Sequence, residues 1–193
     1  DRNGQKLPDT DVASAEVAWE VLRNANGESA TFNGVGALTD RHGEIYCTGA
    51  LIDTRSPEYT QSPAYVVTNG HCNGREDWMG GEEISVDEAT RVSIQFEQFV
   101  DQKPEQAFRM KKIAYTTMYE TDLSVFELRQ TIDDMVALGY NPLRIGKRSP
   151  LDNEALTMVG IPMNFFKEDQ IYLLRSDCVA GGRVDLSEGP FYW

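Results

Sequence analysis

Apolar and polar residues alternate along several short segments of the chain, which predicts β-strands with one buried and one solvated face. The clearest case runs from Arg91 to Glu97, where Val92, Ile94 and Phe96 alternate with polar neighbours. Such alternation is typical of antiparallel sheets. Strands are predicted over residues 31–38, 46–53, 65–68, 91–99, 108–116, 123–128, 156–161 and 171–179. Turn-rich connectors separate these segments, so the pattern predicts an all-β barrel or sandwich.

Two segments depart from this alternation. Residues 11–25 fit a helical stripe as well as a strand, so the pattern leaves their structure open. Thr131 precedes an isoleucine and two aspartates, which predicts the N-terminus of a short helix with Thr131 as its N-cap. We expect this helix to end near Gly139.

Length and composition fit a single folded domain. The chain has 193 residues, of which 40% are hydrophobic, and this is enough to build a core of ordinary size. Residues 1–10 are polar and contain Pro8, which indicates a surface arm. We assign residues 1–30 to an N-terminal arm or extension and residues 31–193 to the domain.

The charge of the chain excludes two classes of partner. There are 18 basic and 31 acidic residues, and the net charge of −13 repels both nucleic acid and anionic membranes. No apolar run approaches the roughly 20 residues that a membrane span needs. The first residues also lack the basic and apolar regions of a signal peptide, so we expect that any secretion leader has already been removed.

The chain has two histidines, and they lie in different settings. His42 falls in a polar turn between predicted strands, which indicates an exposed loop residue. His71 follows the apolar run at 64–67 and an Asn-Gly pair, where the backbone can turn sharply and present the ring at the edge of a sheet. By itself a histidine at the end of a strand is more often structural than catalytic, so the case for His71 as a base depends on the motifs around it.

Three motifs surround this histidine in a fixed order. They are Cys-Thr-Gly-Ala-Leu-Ile at 47–52, Thr-Asn-Gly-His-Cys at 68–72 and Thr-Asp-Leu at 121–123, the last of which precedes an apolar strand. Together they resemble the first two thirds of a trypsin-like (chymotrypsin-fold) serine protease. The resemblance covers about residues 31–184.

The resemblance implies a fold, an activity and roles for individual residues. The fold would be a double six-stranded antiparallel β-barrel, with the first barrel complete and the second begun in this chain. His71 would be the general base, Asp122 would accept the proton on its Nδ1, and Cys47 would pair with Cys72 to hold the histidine loop. The activity would be that of a secreted serine endopeptidase, extracellular or periplasmic, acting on protein or peptide substrates without a metal or cofactor.

The sequence lacks the nucleophile that this reaction needs. None of the ten serines lies in a Gly-Asp-Ser-Gly or Gly-x-Ser-x-Gly context, and the nearest approach, Ser187-Glu188-Gly189, lacks the preceding glycine. A start similar to Ile-Val-Gly-Gly is also not visible. Cys178 lies in a segment that resembles the strand opening the second barrel, where the family often has a cysteine paired with one near the serine. We therefore expect a C-terminal chain of the same protease, disulfide-linked through Cys178, to supply the serine.

Other interpretations stay open at this point. Without a serine, the chain could be a catalytically inactive trypsin-like binding or regulatory module. Cys47 and Cys72 could be two unrelated buried thiols, or Cys72 beside His71 could act as a thiol nucleophile, although adjacent strand residues point apart. The acidic residues at 76–88 could offer oxygens to Ca²⁺, but they lack an ordered ligand spacing, and no close Cys or His pair indicates zinc.

Overall fold

The computed structural model of the protein describes residues 19–56, 61–74, 84–119, 121–162 and 171–181. Almost all regular structure in these residues is β. The strands are β1 (Glu20–Val21), β2 (Val35–Thr39), β3 (Ile45–Ile52), β4 (Pro63–Thr68), β5 (Ile84–Glu88), β6 (Ser93–Gln95), β7 (Ala107–Thr117), β8 (Leu123–Thr131), β9 (Ala155–Gly160) and β10 (Leu174–Val179). One α-helix, α1 (Ile132–Ala137), follows β8 directly.

Most of these strands form a closed six-stranded antiparallel barrel. β2, β3 and β4 are neighbours in chain order, and so are β6, β7 and β8. Pairing of β4 with β8 and of β2 with β6 joins the two groups, and both pairings are antiparallel. Because the sheet closes on itself, these strands leave no long open edge. The predicted all-β class and antiparallel barrel are thus confirmed.

The interior of the barrel is filled by apolar side chains from every strand of the closed ring. Phe96, Phe108 and Tyr140 form an aromatic group within it, with ring centroids 4.8–5.7 Å apart. The inward residues include Leu38, Leu51, Val66, Ile94, Met110, Ile113, Phe126 and Leu128, each at most 1% exposed. This packing fixes the strand ends from which the candidate site is built.

β5 was not predicted from the sequence. β5 and β6 lie one after the other along the same edge of β7: β6 pairs with the first half of β7 and β5 with the second half. In β5 the hydrophobic pattern is inverted: Ile84 and Val86 are 55% and 59% exposed, whereas Ser85 is buried. The prediction over 91–99 was also too long, since β6 covers three residues.

The predicted strand at 31–38 begins later than expected. Residues Ala30–Phe32 form a single 3-10 turn, and β2 starts only at Val35. Asn33 explains the difference, because its side chain donates to Gly139 O and accepts from Asn141 N, both at 2.8 Å. These bonds tie the segment to the loop after α1 instead of to a neighbouring strand.

The predicted helix is confirmed, together with its N-cap. The Thr131 hydroxyl accepts from Asp134 N, and the Asp134 carboxylate accepts from Thr131 N, which forms a capping box. Gly139 follows the last turn with φ of +95°, a left-handed conformation that suits glycine. Helix α1 therefore begins and ends where short-range chemistry places it.

A second, smaller sheet lies beside the barrel. It contains three antiparallel strands in the order β1-β10-β9, and β9 and β10 overlap the strands predicted at 156–161 and 171–179. Ile161 N, at the end of β9, donates to Thr48 Oγ1 of β3 at 2.8 Å. Leu22, next to β1, is buried in a small core with Phe99 and Leu173, so part of the segment assigned to the arm packs on the domain.

Among the residues that the structure describes, no helix is both long enough and apolar enough to cross a bilayer.

Candidate functional site

His71 lies in a short 3-10 turn at the end of β4. The turn covers Gly70–Cys72, so the histidine follows the strand at the sharp turn that the Asn-Gly pair predicted. Gly70 is buried, and a Cβ atom added there would collide with the Thr117 carbonyl and lie 3.0 Å from Asp122 Oδ1. Only glycine allows the turn to approach β7 and β8 this closely.

Asp122 reaches the same place from another part of the chain. It directly precedes β8, and β8 pairs with β4 so that Ser124 lies opposite Thr68. The residue after β4 and the residue before β8 therefore meet at one end of the barrel. Strand pairing thus brings together two residues that are 51 positions apart in sequence.

The carboxylate of Asp122 makes two bonds to His71. His71 Nδ1 lies 2.7 Å from Asp122 Oδ2, and the His71 backbone N–H donates to Asp122 Oδ1 at 2.9 Å. An ionised carboxylate can only accept, so the ring proton sits on Nδ1 and the neutral imidazole has its basic lone pair on Nε2. The His71 side chain is 46% exposed and that of Asp122 is 18% exposed. The imidazole thus faces solvent while the Asp122 carboxylate is more deeply buried.

The environment of Asp122 keeps it ionised. Burial, the largest single influence, favours the neutral acid. The hydrogen bonds from the backbone and ring of His71, the electrostatic influence of that ring and the hydrogen bond from the amide of Asn69 together outweigh burial and lower the pKa of the Asp122 carboxyl below its ordinary value. At neutral pH Asp122 is therefore an anion that can hold His71 in one tautomer.

A disulfide between Cys47 and Cys72 anchors the turn. It joins β3 to the residue after the histidine, with a Cα–Cα separation of 6.1 Å. Tyr46 Oη donates to the Cys72 carbonyl at 3.1 Å, and burial raises the pKa of that phenol. The backbone on the C-terminal side of His71 is thus tied to β3 by a covalent bond and a hydrogen bond.

Removing this bridge should destabilise the fold. The disulfide closes a 25-residue loop, and the loop-entropy relation gives roughly 3 kcal/mol for a loop of that length. We expect the Cys47→Ala/Cys72→Ala double variant to lower the free energy of unfolding by about this amount in urea titrations. Cys178→Ala is the matched control, and an equal loss in that variant would contradict the assignment.

The two sulfurs and the histidine do not form a metal centre. Ligand-type atoms of Cys47, His71 and Cys72 lie within 4.8 Å of one another. However, zinc is bound by thiolates, and the two sulfurs are joined to each other. The same bridge excludes Cys72 as a thiol nucleophile, because a disulfide sulfur is not a thiolate.

A buried hydroxyl pair supports the turn from below. Ser124 and Thr116 are both fully buried and share a hydrogen bond between β8 and β7. Ser124 Oγ also contacts the Gly70 carbonyl at 3.4 Å. The backbone carbonyl next to His71 is thereby held by the same two strands that position Asp122.

The remaining residues considered from the sequence lie elsewhere. As predicted, His42 is exposed in the turn between β2 and β3. Its backbone N–H donates there to the Asp40 carboxylate. Cys178 is half-buried on β10 and is not in a disulfide with any described residue. Ser187 and most of the acidic segment at 76–88 lie outside the described residues.

One contributor was not identified from the sequence. Asn69 Nδ2 donates to Asp122 Oδ2 at 3.0 Å, beside the ring of His71. In the sequence Asn69-Gly70 indicated only a tight turn. An asparagine gives no separate signal for a partner 53 positions away.

Comparison of the sequence with known proteins adds no relative. No protein-family model matches the chain, and no curated protein matches it.

Proposed function

We propose that this chain is the N-terminal portion of a secreted trypsin-like serine endopeptidase, in which His71 is the general base and Asp122 orients it. The observation that carries the proposal is the 2.7 Å contact between His71 Nδ1 and Asp122 Oδ2 at the rim of a closed antiparallel barrel. The disulfide beside His71 adds support, because bridges of this kind persist in oxidising compartments.

The geometry suits one part of peptide-bond hydrolysis. A serine hydroxyl attacks the peptide carbonyl, and its proton passes to His71 Nε2 as the C–O bond forms. Asp122 stabilises the imidazolium through Nδ1. His71 then gives the proton to the leaving amine as the C–N bond breaks, and water hydrolyses the acyl-enzyme by the same proton transfers in reverse order.

The serine and the oxyanion donors belong, in this proposal, to a C-terminal segment of the same protease. The support is that none of the ten serines here lies in a nucleophile motif. Such a segment, joined through Cys178, would complete a second barrel on the sheet of β1, β10 and β9. The substrate is a protein or peptide.

The second candidate function is a catalytically inactive trypsin-like binding or regulatory module. The missing nucleophile motif favours it. Against it, such a module has no need for a half-buried carboxylate that lies within hydrogen-bonding distance of a solvent-facing histidine.

A fluorophosphonate probe separates the two candidates. The protein is purified without reductant, so that any disulfide-linked chain remains attached, and its mass is measured before and after reduction. We expect a second polypeptide to be released by reduction and to carry the covalent label on a serine. Active enzyme labelled on no serine, or a single unlinked 21.7 kDa species without protease activity, would refute the proposal.

A further inference from the structure

We infer that Asn69 is a positioning residue for Asp122, whose amide fixes the carboxylate for His71 so that residues of this chain alone assemble the pair. This inference rests on the proposed function, since it assigns Asn69 a task in orienting the base. It concerns a side chain that does not touch the reacting atoms. It follows from how three donors are shared between the two oxygens of Asp122.

The first step is the unusual use of an N-cap position. Asn69 is the N-cap of the Gly70–Cys72 turn, with extended φ and ψ of −70° and 152°. An asparagine there usually accepts a hydrogen bond from a backbone N–H of its own turn. Asn69 makes no such side-chain bond. Instead the His71 N–H, one of the donors that a cap would take, donates to Asp122 Oδ1.

The second step follows from chemistry. Because Asp122 is ionised and can only accept, the atom of Asn69 that faces it must be the NH₂ nitrogen and not the carbonyl oxygen. Asp122 therefore caps the turn in place of Asn69, and Asn69 donates to Asp122. The Gly70–Cys72 turn is therefore joined to Asp122 by two hydrogen bonds, one from the His71 N–H and one from the Asn69 amide.

The third step concerns direction. Oδ2 accepts from both His71 Nδ1 at 2.7 Å and Asn69 Nδ2 at 3.0 Å, while Oδ1 accepts from His71 N at 2.9 Å. Rotation of the carboxylate toward one donor lengthens its bond to another. Hydrogen bonds from His71 and Asn69 thus fix the plane of the Asp122 carboxylate. The His71 ring can then donate to that carboxylate in only one direction.

Asn69 is exposed, and this separates positioning from stability. If its amide is removed, water can supply a hydrogen bond to Oδ2, so the fold should lose little. Water does not fix a direction, however, so the His71 bond should become less well defined. A positioning role therefore predicts a change at Asp122 and His71 without a matching fall in the unfolding midpoint.

The test is NMR spectroscopy of the intact chain with labelled histidine and aspartate. Asn69→Ala removes the donor, and Asn69→Asp keeps the shape but places a second carboxylate against Asp122. Asp122 accepts hydrogen bonds from both His71 and Asn69, so the titration of the Asp122 carboxyl carbon reports on these contacts. The control is Asn33→Ala. It removes the hydrogen bond from the Asn33 amide to Gly139 O, which lies near α1 at the other end of β8.

We expect the Asp122 pKa to rise in Asn69→Ala and to rise further in Asn69→Asp, because a like charge disfavours the anion. The proton on His71 Nδ1 should exchange with water about tenfold faster or more in both, as expected for loss of a bond to a charged group. Asn33→Ala should change neither quantity. If Asn69→Ala and Asn69→Asp both fold and keep the wild-type Asp122 pKa and the wild-type exchange rate of the His71 Nδ1 proton, the inference is overturned.

The outcome is independent of protease activity. If the Asn69 variants shift Asp122 but the fluorophosphonate probe labels no serine, the pair is positioned as inferred and the proposed function fails. If the probe labels a serine and the variants do not shift Asp122, the function stands and the role of Asn69 fails.

Discussion

Replacing His71 by alanine is expected to lower kcat of the proposed protease, assembled with the serine-bearing segment that the proposal requires, by about 10⁶-fold. Without the imidazole no group takes the serine proton during attack or returns it to the leaving amine. The fold should survive, because the side chain is 46% exposed and the disulfide still holds the turn. The measurement is the hydrolysis rate of a peptide substrate at saturation, together with the unfolding midpoint of the variant.

The chain offers a matched control for this experiment in its other histidine. His42→Ala makes the same substitution in an exposed turn, and we expect kcat to be unchanged. A large loss in both variants would indicate a general effect on the fold. A small loss in His71→Ala would remove this residue from the reaction.

Asp122→Asn is expected to have the second largest effect, a loss in kcat of about 10⁴-fold. The substitution keeps the size of the side chain, but its amide can donate to His71 Nδ1. The ring proton then moves to Nε2, the nitrogen that must be unprotonated to act as a base. The loss should appear in kcat more than in KM, because the aspartate does not bind substrate.

The same variant should change the acid dependence of stability. The folded protein holds the pKa of Asp122 below its ordinary value of 3.8. Its contribution to stability is therefore fully present above the unfolded pKa and is lost as pH falls through the lower, folded pKa. Urea titrations at neutral pH and below pH 4 should show a smaller acid loss in Asp122→Asn than in the wild type. Asp152→Asn, in an exposed turn, is the control, and an identical acid dependence of wild type and Asp122→Asn would contradict this assignment.

Local chemistry explains which elements the sequence could predict. β7 and β8 carry apolar residues on an inward face, and α1 has a threonine N-cap, acidic residues in its first turn and a glycine after its end. Each signal lies within a few residues of the structure it specifies. β5 could not be predicted in this way, because Ile84 and Val86 face outward and the pairing with β7 stabilises the strand.

The candidate site, too, could be predicted from the sequence only where its features depend on residues close together in the chain. The sequence by itself determined the strand before His71 and the turn between that strand and the histidine. It also contained the four residues that the family resemblance placed in one centre, namely His71, Asp122, Cys47 and Cys72. Only the tertiary structure decided that Nδ1 and Oδ2 lie 2.7 Å apart, that the histidine sits in a 3-10 turn, and that the Asn69 amide shares the same oxygen. The physical reason is that these contacts depend on the register of β4 against β8, which closes the barrel over residues far apart in the chain, whereas turns and caps depend on neighbours.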